Sequence, residues 1–307
     1  MRKLSILSYG GGQDSTAILI KLIHDLDFRK KYAPEDLLVI FSDTGDEHPH
    51  TYKYIEEVIK PLCDRHSIEF IWLTPDMGFH SEAWPSLMGQ FYRNDNIMGC
   101  GFGQTCTDNL KIKPIYRAVC RYVNERYLYG MSREHGKVAF YDYYHRYGHK
   151  INVLLGIARE EERRLDQDWK ESKYTPKWMK DCFEKDYPLI DEGMNRRDCQ
   201  EYISSMGYQV PFPSNCMRCH HMSKQELVWL ERNYPEKFNE WVDREAAKIL
   251  KNAWKVKEGK IKSNLGVKGE KLLPELLEEA KAQFGHWTNE ELEDYKFSHG
   301  HCVKSSY

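Results

Sequence analysis

Two groupings of residues carry chemistry. The first is Ser8-Tyr9-Gly10-Gly11-Gly12-Gln13-Asp14-Ser15. Consecutive glycines let backbone N–H groups converge on an anion with no Cβ in the way. A helix opening behind them would add the positive end of its dipole. Asp14 and Ser15 fall in its first turn, where Ser15 can donate to a phosphate. The loop lacks both the Gly-Lys-Ser/Thr ending of nucleoside-triphosphate loops and the dinucleotide GxGxxG pattern. The plain alternative is a glycine-rich turn with Asp or Ser as N-cap. The second grouping is Cys216-Met217-Arg218-Cys219, a spacing that lets two thiolates reach one metal. Cys100 is a candidate further ligand, across a glycine-rich loop from Cys106, and His220 or His221 could serve instead. Such thiol-rich sites suit zinc or an iron–sulfur cluster.

The surrounding pattern supplies elements to hold these groups. Residues 3–9 read as a buried strand and 16–27 as a helix with Leu19, Leu22, Ile23 and Leu26 on one side. Residues 37–42 and 68–73 read as further strands, 51–66 as a helix between them, and 151–157 as a fourth strand. Strands alternating with helices imply βαβ units and a parallel sheet. The expected fold is therefore α/β, a doubly wound, mainly parallel sheet with a helical cysteine-bearing C-terminal region. The division expected is a nucleotide-binding domain over 1–215 with an insertion at about 78–150, a CxxC and helical region over 216–254, and a lysine-rich linker, short helix and tail over 255–307.

Composition narrows the classes. The chain has 307 residues, a net charge of −2 and 41% hydrophobic residues. It is thus neither a globally basic nucleic-acid coat nor a disordered polyanion. No apolar run approaches the roughly 18–20 residues that span a bilayer, and MRKLSILSYGGG reads as a first strand, not a signal peptide. Nine cysteines, an odd number at irregular spacing, argue against a secreted disulfide framework and for intracellular thiols. A cytoplasmic protein is expected. Cys63, Cys120, Cys182 and Cys199 read as ordinary helix thiols. Residues 111–150 carry net +6 and eight tyrosines. That composition suits a nucleic-acid backbone with stacked bases, and equally a set of packed tyrosines and solvated charges.

Five segments, in order, resemble one family. Gly11-Gly12-Gln13-Asp14-Ser15 resembles the SGGxDS loop of the adenine-nucleotide alpha-hydrolase superfamily, which holds the N-type ATP pyrophosphatases and the sulfonucleotide (PAPS) reductases. Gly10 replaces the leading Ser and Gln13 stands where Lys is frequent. Phe41-Ser42-Asp43-Thr44-Gly45, with Pro49 and Thr51, is similar to the DTGxxxPET element of PAPS-reductase-like members, with His50 in place of Glu. Cys106-Thr107 with Leu110, Lys111 and Pro114 resembles a cysteine-led basic segment. Residues 156–164, with Arg159, Arg163 and Arg164, resemble GIRxxEsxxR, and 214–219 resemble SxCxxC.

The resemblance implies an adenine nucleotide as ligand. Ser8, Gly10, Gly11, Gly12, Gln13, Asp14, Ser15, Asp43, Thr44, Gly45, Lys111 and Arg163 would bind ATP with Mg²⁺, and Asp14, Asp43 and Arg159 would serve catalysis. It adds Cys106 to Cys216 and Cys219 as a third metal ligand, beside Cys100, and favours a [4Fe–4S] cluster with zinc as the alternative. Three functions follow as expectations. The first is adenylyl transfer that splits ATP into AMP and pyrophosphate and activates a substrate for sulfur insertion, with a sulfur-donor protein and a nucleic-acid acceptor as candidate partners. The second is sulfonucleotide reduction, against which stands the tail around Cys302, where the reductase's cysteine motif is not matched. The third is non-catalytic nucleotide sensing.

Overall fold

The computed structural model of the protein describes residues 3–100, 105–165 and 169–298. Five parallel strands form its sheet: β1 (Leu4–Ser8), β2 (Asp36–Ser42), β3 (Glu69–Leu73), β4 (Ile151–Leu155) and β5 (Phe183–Asp186), in the order β3-β2-β1-β4-β5. Register pairs Ile6 with Leu38 on one side and Val153 on the other. Because both faces are covered, the central strands are mainly apolar rather than alternating, with buried Ser5 and Asn152 paired across β1 and β4. Leu4, Ile6, Leu38, Ile40, Val153 and Leu155 face one helical layer, and Leu7, Val39, Phe41 and Leu154 the other. The doubly wound α/β expectation holds. The fifth strand is an addition: its sequence, FEKD, is short and polar, as an edge strand allows.

Helix α1 (Gln13–His24) follows β1 and packs beneath the second layer with residues 49–65, a helical run interrupted by a π-turn at Ile55–Ile59. On the opposite face lie α2 (Lys113–Leu128) and α3 (Val138–Tyr147). Helix α2 crosses the sheet from edge to edge. The hydroxyl of Ser42, at the end of β2, donates to the Leu110 carbonyl at 2.7 Å, while Tyr127 donates to Asp36 at the start of β2, also at 2.7 Å. In α3, the Tyr143 hydroxyl accepts from the Leu4 amide at 2.9 Å. The basic, tyrosine-rich stretch therefore does not face the glycine loop as a unit. Only its beginning does, while Tyr127 and Tyr143 reach the amino edge. Tyr127 and Tyr143 are buried in the core, and Tyr116, Tyr122, Tyr141 and Tyr147 pack against it.

A third core lies beyond the sheet. Helices α4 (Lys224–Asn233), α5 (Pro235–Lys257), α6 (Leu273–Phe284) and α7 (Asn289–Ser298) bury Trp229, Trp241, Leu273, Leu277 and Leu292. Leu87, Phe91, Met98 and Leu110 from the insertion join them, as do Met217 and Cys219. The segments on either side of residue 255 thus share one core, and the expected linker begins inside a helix that runs to Lys257. Lys296 fixes α7 in place. Its ammonium is fully buried, 3.6 Å from a Glu226 oxygen and over the rings of Phe212 and Trp229. No helix among the described residues is long and apolar enough to cross a membrane.

A clamp joins the loop after β2 to this third core. Asp46, in the loop after β2, accepts from the Arg218 amide at 3.0 Å and from its guanidinium, which also bonds Glu240 of α5 and the Lys237 carbonyl. The Arg218 side chain is 2% exposed and Asp46 1%. The Met217 amide donates to the Asp46 carbonyl, and Glu47 bridges to Cys216. Removing one partner of such a pair strands a buried charge, at a cost of about 3–5 kcal/mol. Arg218→Met should lower unfolding free energy by that amount, and adding Asp46→Asn should recover part of it. Urea denaturation of the two variants measures this, and equal stability of Arg218→Met and the parent would refute the clamp.

Candidate active site

The site forms where β1, β2 and β4 end. Gly11 has φ +75°, a left-handed conformation, and a Cβ there would lie 2.5 Å from Thr51. Ser214 presses on Gly12 from the other side. The loop is thus held between the helix after β2 and the segment leading to the CxxC. No side chain caps α1, so the first-turn amides of Gln13, Asp14 and Ser15 are left for a ligand. Gly10 donates its N–H to Ser15 Oγ at 3.2 Å. Gly156, after β4, comes so close to α1 that a Cβ would lie 3.0 Å from the Ser15 nitrogen.

Asp14 is the electrostatic centre of this end. It is 9% exposed, and its Oδ1 is buried with no hydrogen-bond partner. Burial pushes its pKa up to about 6; Arg196 and Arg164 pull against this and Glu161 adds to it. Glu161 pairs with Arg164 and, at 2.8 Å, with Arg196. A buried carboxyl with an open oxygen beside an amide cradle fits a divalent cation carried by a nucleotide.

The other expected residues divide by position. Asp43 organises its own loop: Oδ1 accepts from the Gly45 amide and the Tyr52 hydroxyl, each at 2.7 Å, and Oδ2 from Trp72 at 3.4 Å. The Gln13 side chain is turned away from any phosphate, donating to the Pro211 carbonyl and accepting from Gln200, which also donates to the Phe297 carbonyl. Only the Gln13 backbone remains for the cradle. Arg159 is exposed, its amide bound to the Met194 carbonyl. Lys111 pairs with buried Glu47 at 3.0 Å. The Arg163 side chain and Cys302 lie outside the described residues.

Two cavities flank the segment 105–112. One, of about 320 Å³, begins at Ser8 and runs between Ile6, Val153 and Leu155 of the sheet and Ile112, Tyr116 and Val119, with Asp108 and Lys185 also in its wall. It lies between β1 and β4, where the strand order of the sheet reverses, the place ligands take in open α/β sheets. The second is lined by Cys106, Cys216 and Cys219 with Thr44, Lys111, Arg218, His220 and His221. Three of the four cysteines expected as ligands therefore meet. Cys100 does not line this cavity, and its thiol donates to the His220 carbonyl at 2.9 Å. No three His, Cys, Asp or Glu groups among the described residues are drawn together tightly enough to hold a metal. The donor set nevertheless suits a thiophilic metal. His220 adds a buried Nε2 with no hydrogen-bond partner, and burial, with His221 and Lys268, lowers its pKa to about 4, leaving it neutral.

The phosphoadenosine phosphosulfate reductase domain model matches residues 5–207, about two thirds of the sequence. The chain belongs to this family. The "Uncharacterized nin region protein ORF290" of Escherichia phage lambda is 39% identical over 57 residues, 19% of this chain and 18% of that protein. The reductase-domain match takes in both the glycine loop and the arginine-bearing loop after β4, and ends before the CxxC. Asp46, Glu47, Arg196 and Arg218 were not picked out by sequence. Asp46 and Glu47 follow Asp43-Thr44-Gly45 directly, and Arg218 lies inside the CxxC, so adjacency to a motif was their signal; Arg196 had none.

Ionising Asp14 in its buried place has a consequence for stability. A carboxyl whose folded pKa, about 6, exceeds its unfolded value, 3.8, costs stability as pH rises through that window. In nucleotide-free protein, Asp14→Asn should therefore gain about 1–3 kcal/mol at pH 7.5, a gain that vanishes by pH 4. The same variant should bind nucleotide more weakly, by roughly tenfold or more. Denaturation at both pH values tests the first statement, and no gain at pH 7.5 would contradict it.

Proposed function

We propose that the protein is an ATP-dependent adenylyl-transfer enzyme that activates an acceptor for sulfur insertion. One observation carries this reading: Thr44, in the loop expected to bind nucleotide, also lines the thiol cavity, with its hydroxyl 3.4 Å from the Cys216 sulfur. Nucleotide chemistry and thiol chemistry would then share a wall. The phosphates would lie on the amides at the start of α1, with Mg²⁺ held at Asp14, and the base would enter the cavity that begins at Ser8. An acceptor oxygen attacks the α-phosphorus, the α–β phosphoanhydride bond breaks, and pyrophosphate leaves. Sulfide then attacks the carbon bearing that oxygen, and AMP departs with it; with a persulfide donor protein the terminal sulfur attacks instead, and a second cysteine thiol of the donor opens the resulting disulfide, leaving the donor oxidised. The protein's work is to position the groups and offset charge, through the α1 amides, Arg164 and Arg196.

Cys106, Cys216, Cys219 and His220 would hold a thiophilic centre, a [4Fe–4S] cluster by family likeness or zinc as the alternative, with Cys100 as substitute ligand. Such a centre would supply a site for bound sulfur. A cytoplasmic setting suits these thiols. The family's name supports a second reading, sulfonucleotide reduction, in which a cysteine thiolate attacks the sulfate sulfur and sulfite is later released by a thiol reductant.

Two measurements decide between them. Calorimetric titration with Mg²⁺ and an ATP analogue that cannot be split between the α- and β-phosphates should show binding, weakened in Ser15→Ala. Sulfite release from phosphoadenosine phosphosulfate with a dithiol reductant should be absent; its presence, without analogue binding, would replace the first reading by the second. For the metal, anaerobic purification should give iron and sulfide, or zinc, in stoichiometric amount. The Cys216→Ser/Cys219→Ser double variant should lose it while still binding the analogue, and full metal content in that variant would place the centre elsewhere.

A further inference from the structure

The far end of α5 has no role in the site just described. The helix starts against Arg218, through Glu240, and its axis carries it on the order of 20 Å further to Trp254 at ~1.5 Å per residue. There it leaves the third core. Leu250 is 78% exposed and Trp254 48%. Residues 250–262 hold five lysines and one acid, Glu258, in a chain of net charge −2. Glu258 is paired with Lys260 at 2.8 Å. Lys255, Lys257 and Lys262 have no carboxylate partner among the described residues.

The arrangement is ordered. Gly259, at φ +68°, turns the chain back, and the Lys260 amide caps the helix on the Lys255 carbonyl at 2.8 Å. That turn brings the Lys260 ammonium 4.2 Å from the centre of the Trp254 ring, with Lys255 at 5.9 Å. A half-exposed indole is thus presented among cations that it does not neutralise. Exposed apolar groups are too few to enter a bilayer: Leu250 and Trp254 share a face, but Val256 points the other way round the helix. An aromatic ring flanked by cations instead matches a stacked base with phosphates on either side.

We infer that the Trp254 end of α5, with Lys255, Lys257, Lys260 and Lys262, is a binding surface for single-stranded nucleic acid. A duplex hides the base faces that Trp254 would stack on, so the surface selects unpaired strands. The inference stands apart from the adenylyl-transfer reading, because binding here needs neither nucleotide nor metal.

The test is fluorescence anisotropy of the full chain with labelled 15-nucleotide RNA, the matching DNA strand and the DNA duplex, without ATP, at 50 and 200 mM salt. Either strand should bind more tightly than the duplex, with a log–log salt slope of about −0.7 per phosphate contact. Trp254→Ala should weaken strand binding roughly tenfold and leave the slope unchanged. Lys255→Ala/Lys257→Ala/Lys260→Ala should make the slope shallower by about 2. Trp254, Lys257 and Lys260 are exposed and Lys255 is half-buried, and unchanged thermal melting confirms that each variant is folded. Absence of binding at 50 mM salt, a preference for duplex, or equal affinity in parent and both variants would overturn the proposal.

Discussion

The ion pair between Asp46 and Arg218 holds the molecule's chemistry together. It adds a buried charged contact to the apolar and aromatic ones, such as His48 against Phe212 and Trp229, that join the sheet to the C-terminal helices. Burying a guanidinium and a carboxylate is costly unless every hydrogen-bonding position is used. Here the guanidinium reaches Asp46, Glu240 and the Lys237 carbonyl, while Asp46 also takes the Arg218 amide. Because both residues between the two knuckle cysteines, Met217 and Arg218, bond Asp46, the thiols are fixed relative to the loop after β2. Thr44 and Cys216 meet as a result.

Much of the fold was legible because its signals are local. The runs at 4–8, 36–42 and 151–155 are apolar since both faces of a parallel sheet are covered, and the glycine loop is recognisable since a left-handed φ and a 2.5 Å gap admit nothing larger at Gly11. What was not legible is long-range. Asp46 and Arg218 are 172 positions apart, and nothing in either neighbourhood announces the other. The strand at 183–186 lacks the apolar run that marks the inner strands.

The stretch 111–150 shows how composition misleads about place. Its lysines, arginines and tyrosines are close in sequence, but a helix of 16 residues carries them from one edge of the sheet to the other. Lys111 ends up against Glu47 at the site, while Tyr143 supports the first residue of β1 at the opposite edge. Most of these tyrosines serve packing. Trp254, a half-exposed ring beside lysines, is on α5, in a segment whose lysines and glycines read as a linker.

The segment 105–112 decides how the two cavities can communicate. Cys106, Thr107, Leu110 and Lys111 face the thiol cavity, and Asp108 and Ile112 the cavity that begins at Ser8. A single layer of helix therefore separates them. It contains a π-turn at Asp108–Ile112, a wide and uncommon turn often found at functional places. Its lower end is tied to β2 through Ser42 and the Leu110 carbonyl, and Lys111 is tied to Glu47. Glu47 in turn bonds the Thr44 hydroxyl at 3.1 Å. Thr44 and Lys111, both in the wall of the thiol cavity, are thus joined to each other through Glu47. The two cavities share no lining residue; what joins them is the backbone of 105–112, whose side chains face opposite sides.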